Sequence, residues 1–439
     1  MQAIRRGFVA LLIAMFGLLA VQARADEAAA QKVLDTWVRL SLELVRHTPT
    51  YTPPVASRAF AYVGVTAFEV VAIDDPELTS LAGQLNDLTV FPVPQDGVSY
   101  DRAVMMHTAL GRVVADLFTN TGPTGQRALT SVTDHLRTEI TADLPADVVS
   151  ASEELGAQIA AHIMAWAAAD GGAIVENMGF PAGYTLSTAP GHWAPTNLIR
   201  LQQTPLLPNW GNNRPFAMPA GTACPLPAPM DYSKDPGSAY YAQAQEVVDI
   251  KAALTPEQTE IARFWTDDAM LSMTPPGHWV AIVMQVMDRD GAPLDIQVEV
   301  LARLSVAMAD GFIGCWQAKF EFDAIRPITY IRAVFDPKWD PLLNTPPFPE
   351  YPSGHSVQSA AAATVLTAYF GEGFAFDDAT GADDGLSART FSSFWAAADE
   401  AALSRLYGGI HFRAAIEQGL MQGRCIGAYA AALQTRRGT

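Results

Sequence analysis

The chain has 439 residues, of which 49% are hydrophobic and only 17% charged, and a formal charge of −18 from 28 basic and 46 acidic side chains. That content is too apolar for a disordered chain and ample for a large core, and the acidic balance argues against nucleic acid or an anionic membrane surface as partner. Three cysteines (Cys224, Cys315, Cys425) without CxxC or CxxCH exclude a disulfide framework, a zinc ribbon, a thioredoxin-type site and attached c-type haem. The length predicts two to three domain-sized units or one large one.

Residues 1–25 read as an export signal. Arg5 and Arg6 form a basic start, Phe8 to Ala20 is an apolar run too short to span a bilayer comfortably, and Ala23-Arg24-Ala25 is a cleavage signature. Arg5-Arg6-Gly7-Phe8-Val9 also resembles a twin-arginine signal. No later apolar run approaches 18 uninterrupted residues, which predicts a soluble mature protein, periplasmic or secreted, with no membrane insertion. Three cysteines allow one disulfide, and the sequence does not say which.

Residues 26–169 predict a helical region, with apolar residues at three- and four-residue spacing over 28–47, 54–74, 99–118, 127–142 and 146–169. Residues 170–237 differ. They hold eleven prolines with many Gly and Asn, and predict an irregular connection packed by its Trp and Phe side chains. Residues 238–439 return to helix. Thr255-Pro256-Glu257-Gln258 is a strong helix start, and further helices are expected near 278–288, 294–319, 354–370, 391–407 and 412–434. The fold class is therefore all-α, helical bundles in two halves, with few strands.

HExxH, ExxH, Walker A and GxSxG motifs are absent, which removes zincins, ferritin-type di-iron pairs, P-loop enzymes and α/β-hydrolases. What remains is basic. Lys319, one of only five lysines, precedes Arg326-Pro327 by seven residues; Phe348-Pro349-Glu350-Tyr351-Pro352-Ser353-Gly354-His355 and Ser404-Arg405 followed by His411 complete the set. Ser353 predicts an N-cap, and the free N–H groups of the turn it opens favour an anion. Gly354 lets that anion approach the backbone. Lys319, Arg326 and Arg405 supply three cations, which suits a tetrahedral oxyanion. Two histidines supply one nucleophile or metal-oxyanion ligand and one general acid–base.

The set K-x6-RP, PSGH and SR-x5-H resembles the vanadium-dependent haloperoxidase and type 2 phosphatidic acid phosphatase superfamily. Trp316 and Phe348 are similar to the haloperoxidase branch, Phe348 matching the fungal chloroperoxidase pattern rather than the His of algal bromoperoxidases. Arg46-His47-Thr48, Pro53 to Arg58, Trp210-Gly211 and Arg214-Pro215-Phe216 are similar to bacterial haloperoxidase-like proteins. The resemblance implies His411 as axial vanadate ligand or phosphorylated nucleophile, and His355 as acid–base. It implies Lys319, Arg326, Ser353, Gly354 and Arg405 on the equatorial oxygens, with Lys319 also polarising peroxide and Phe348 and Trp316 on the halide side. Many members carry Asp four residues after the last His. Here that position is Ala415, and Glu417 lies on the other side of the helix, so a backbone carbonyl or another acid such as Asp267 or Asp268 is expected to orient the imidazole.

The function this implies is a vanadate-dependent haloperoxidase acting on hydrogen peroxide and a halide or small organic substrate. The alternatives are a soluble secreted acid phosphatase that forms a phosphohistidine and needs no vanadate, and a non-catalytic oxyanion-binding descendant, which the loss of Asp at 415 supports.

Overall fold

The computed structural model describes residues 26–196 and 200–438, so the predicted export segment lies outside the described residues. These residues form thirteen α-helices and one two-stranded antiparallel ribbon. The first half holds α1 (26–47), α2 (Pro53–Ala72), α3 (Arg102–Leu117), α4 (Pro123–Thr141) and α5 (Ala146–Ala168). The second holds α6 (Ala239–Ala252), α7 (Pro256–Phe264), α8 (Thr274–Asp290), α9 (Leu294–Phe322), α10 (Pro327–Val334), α11 (Gly354–Phe370), α12 (Phe394–Tyr407) and α13 (Arg413–Ala431). Strands β1 (Phe376–Asp378) and β2 (Arg389–Phe391) pair between α11 and α12.

Local chemistry explains the helix starts. Asp101, Ser238, Ser353 and Ser393 each accept a first-turn N–H, and Thr255 with Gln258 forms the expected reciprocal capping box. α2 is apolar enough to cross a membrane by length and composition, but 94% of that window is buried inside the protein. It packs along α9, and one contiguous core takes residues from both halves, from Ala30 through Trp316 to Leu433.

Within 170–196 and 200–237, Trp193, Trp210, Phe216 and Met218 are all buried. The Asp310 carboxylate on α9 accepts N–H bonds from Phe216, Ala217 and Met218 at 2.6–2.8 Å. Burial pushes its pKa up to about 6 against those three bonds. The motifs around Arg58, Trp210 and Arg214 meet at a buried ion pair. Arg58 Nε bonds Asp170 Oδ2 at 2.6 Å, Tyr62 donates to the same oxygen, and Arg214 bonds the Tyr62 hydroxyl while stacking on Trp166. The one disulfide joins Cys224 to Cys425 and leaves Cys315 as a buried thiol.

The pairing of α11 with α13 places the site. Gly419, Gly423 and Gly427 repeat every fourth residue along α13. A Cβ at Gly423 would stand 2.0 Å from the Val357 carbonyl oxygen, so only glycine lets the two backbones approach this closely. Gly419 lies beside Ser353 and Ser356, and Gly427 beside Ala361 and Thr364, so the helices run parallel with their N-terminal ends together.

Candidate active site

Those two helix starts, the last turn of α9 and the end of α12 converge on one buried cluster. Ser353 caps α11 as expected, its hydroxyl accepting from the Ser356 N–H at 3.4 Å. Gly354 is buried, and a Cβ there would rest at ordinary distance from Phe312, Trp316 and Cys315, so packing does not demand glycine at this position. α13 begins at Arg413 after an extended Phe412, which leaves His411 just ahead of the helix rather than opening it.

Lys319, Arg326 and Arg405 are all buried. Lys319 Nζ donates to the carbonyls of Pro349, Glu350 and Pro352 at 2.8, 3.1 and 2.5 Å. Arg326 Nε donates to the Phe348 carbonyl, and its Nη1 to the Ile410 carbonyl and to His411 Nε2 at 3.0 Å. Arg405 bonds Ser404 Oγ and the Trp265 carbonyl. Burial pulls Lys319 down to about 7 and both arginines to about 10, as three cations withdrawn from water require. Phe348 lies 5.1 Å from the Lys319 ammonium and 5.0 Å from the Arg326 guanidinium, and 4.9 Å from the Trp316 ring. Phe348 is therefore packed directly on both cations.

Both histidines are held neutral. Burial, then Arg405, puts His355 well below its ordinary pKa; burial, then Arg326 and Lys319, does the same to His411. The Trp265 carbonyl also accepts a hydrogen bond from His355. That leaves His355 Nε2 buried without a partner, as are Arg326 Nη2 and Ser356 Oγ. Buried polar atoms are rarely left unsatisfied, so this set fits a small polar ligand with both donor and acceptor needs.

One expectation is corrected. Neither Asp267 nor Asp268 reaches His411. Asp267 bonds His278 at 3.0 Å, and both acids act on Arg405. The carboxylate at His411 is Glu350: His411 Nδ1 donates to Glu350 Oε1 at 2.8 Å, and the same oxygen accepts the Phe412 N–H at 2.9 Å. Burial raises Glu350 to about 7, with Arg326 acting in the opposite direction. The sequence reading missed this residue, although a lone acid between Pro349 and Tyr351 in an otherwise apolar stretch was the available signal. His192 bonds Asp323 at 3.0 Å and lines a cavity together with Glu350.

A buried cationic cradle at two parallel helix starts, with two neutral histidines, marks a helical-bundle protein whose site suits a tetrahedral oxyanion. Residues 299–338 and 334–437 match the family described as the VCPO second helical-bundle domain. A bacterial vanadium-dependent iodoperoxidase superposes with a TM-score of 0.86 at 36% identity, covering 92% of this chain and 97% of that one. The chain belongs to the vanadium haloperoxidase family. The vanadium chloroperoxidase of Curvularia inaequalis is 31% identical over 141 residues, a match spanning 26% of this chain but only 23% of that protein. A bacterial vanadium-dependent chloroperoxidase in its holo form, 18% identical with a TM-score of 0.65, covers 88% of this chain and 93% of that one and shares the fold.

Proposed function

We propose that the protein is a vanadium-dependent haloperoxidase that oxidises a halide with hydrogen peroxide, and that iodide is its best halide. The observation that carries this is the convergence of unpartnered Arg326 Nη2, Ser356 Oγ and His355 Nε2 on the cluster that holds His411. Iodide is favoured by the 36% identity to a bacterial iodoperoxidase over nearly its whole length.

Bound vanadate would supply Lewis-acid activation of hydrogen peroxide toward attack by the halide. Arg326, Arg405 and the first-turn N–H groups of α11 would hold its negative oxygens. Lys319 has all its donors on carbonyls, so it joins them by giving up one of those bonds. His411 donates from Nδ1 to Glu350, so its Nε2 carries the lone pair that would bind the metal once Arg326 Nη1 turns from it to an oxyanion oxygen. His355, neutral with a bare Nε2, accepts and returns the proton that peroxide loses and hypohalite gains. Phe348 and Trp316 exclude water beside the cations.

Phosphoryl transfer is the second reading, and Glu350 favours it. A carboxylate behind His411 is what a nucleophilic imidazole needs, so the absence of Asp at 415 no longer counts against a phosphatase. We place the protein in the periplasm or outside the cell; the Cys224–Cys425 pairing supports an oxidising compartment. The test is the metal-free protein assayed with and without vanadate, using peroxide plus iodide, bromide or chloride, beside a generic phosphate ester. Vanadate-dependent iodide oxidation is expected. Ester hydrolysis that vanadate inhibits, without halide oxidation, would establish the second reading instead.

A further inference from the structure

We propose that Glu350 is the positioning residue for His411, fixing the imidazole in the orientation and tautomer that present the Nε2 lone pair to the oxyanion. The function named rests on the haloperoxidase reading, while the tautomer itself does not. Glu350 Oε1 takes two bonds at once, from His411 Nδ1 at 2.8 Å and from the Phe412 N–H at 2.9 Å. The carboxylate thereby ties the ring to the backbone that carries it. Glu350 is itself fixed from both sides of its peptide: its N–H donates to the Ala324 carbonyl at 2.9 Å, and its carbonyl accepts from Lys319. On the other edge of the ring, Arg326 Nη1 can only donate, so Nε2 must accept. A proton on Nδ1 is the one arrangement that satisfies both neighbours.

The carboxylate also fills a place that residue 415 leaves open. Ala415 and Glu350 line one cavity of about 240 Å³ with Tyr232, Tyr240 and Tyr351. Loss of the Glu350 side chain would let water from that cavity reach Nδ1, so the defect is expected to be partial. Removing the partner of a metal-ligating histidine typically costs roughly ten- to a hundredfold in affinity or activity.

The test compares wild type with Glu350→Ala and Glu350→Gln in the full chain. Gln keeps an oxygen able to accept both bonds; Ala does not. Two readouts are taken: histidine-selective ¹⁵N NMR of the metal-free protein, which reports the His411 tautomer, and vanadate affinity by equilibrium dialysis. We expect wild type and Glu350→Gln to carry the Nδ1 proton and bind vanadate within a few-fold of each other. Glu350→Ala, in which Arg326 still faces Nε2, should keep the Nδ1 proton but shift its NMR signal as water replaces the carboxylate, and lose roughly ten- to a hundredfold in affinity, with the KM for halide unchanged. An unchanged Nδ1–H signal and affinity in Glu350→Ala would overturn the assignment, as would equal losses in Ala and Gln. If Ala does not fold, Glu350→Met removes the acceptor at similar length. If wild type binds no vanadate, the haloperoxidase reading fails while the NMR still decides the role of Glu350.

Discussion

Two buried histidines in this protein each place Nδ1 on a carboxylate, yet they do opposite things. His411 has Glu350 on Nδ1 and the Arg326 guanidinium on Nε2, at 2.8 and 3.0 Å. His278 has Asp267 on Nδ1 and Asp378 on Nε2, at 3.0 and 2.9 Å. Burial opposes a charge on both rings. At His278 the two carboxylates overcome it and raise the pKa to about 10, so both nitrogens carry protons and neither is free. At His411 a donor faces the second nitrogen and the ring stays neutral with a lone pair. One carboxylate leaves a neutral ring with a lone pair and two make a structural cation; the group on the second nitrogen decides.

The largest test of this contrast is His411→Ala, which should abolish turnover and weaken vanadate retention in dialysis, because it removes the one side chain assigned to the metal. Wild-type turnover in that variant would end the assignment. His355→Ala comes next. It leaves the cations and helix starts in place, so vanadate should stay bound while turnover falls by roughly the 10²–10⁴-fold typical of general acid–base groups.

His278→Ala should act on stability instead. It leaves two buried carboxylates unpaired, a change that costs about 3–5 kcal/mol, read as a lower urea midpoint with turnover per folded molecule retained. Lost turnover at unchanged stability would erase the distinction between the two rings. A gentler version uses pH. Because the folded pKa of His278 is raised above its ordinary 6.5 to about 10, its stabilisation is complete below pH 6.5 and fades as pH rises toward 10. The urea midpoint of wild type should decline across that window, and that of His278→Gln should decline less. The smallest effect is expected from Phe348→His, which should change the relative rates on iodide, bromide and chloride rather than remove activity. Unchanged ratios would make Phe348 a packing residue.

The cradle around His411 was legible in the sequence, and the partners of the two rings were not. Lys319, Arg326, Ser353, Arg405, His355 and His411 stand at fixed spacings because helix ends position them, and helix ends leave marks: a capping serine, Pro327, Gly408-Gly409. Glu350 acts across 61 positions from an irregular segment, and no periodicity connects it to His411. The partners of His278 come from the turn after α7 and from β1, which local patterning does not join. Helix α10 spans only eight residues and was not anticipated, and β2 occupies the start of what reads as one helix from 391. The four-residue glycine repeat of α13 was present in the sequence but points to no partner until α11 lies against it.

The disulfide gives the chain a topology as well as a fastening. Cys224 and Cys425 close a ring over a separation of 201 residues, and every residue assigned to the oxyanion cradle lies within it. Closing a loop of that size removes unfolded-state entropy worth on the order of 5 kcal/mol in the chain-entropy account. The cradle therefore belongs to a covalent circle whose ends are an irregular connection and the last helix. A chain held where thiols stay reduced would carry every ligand of the site on an open line, so the place of folding is written into the stability of the site.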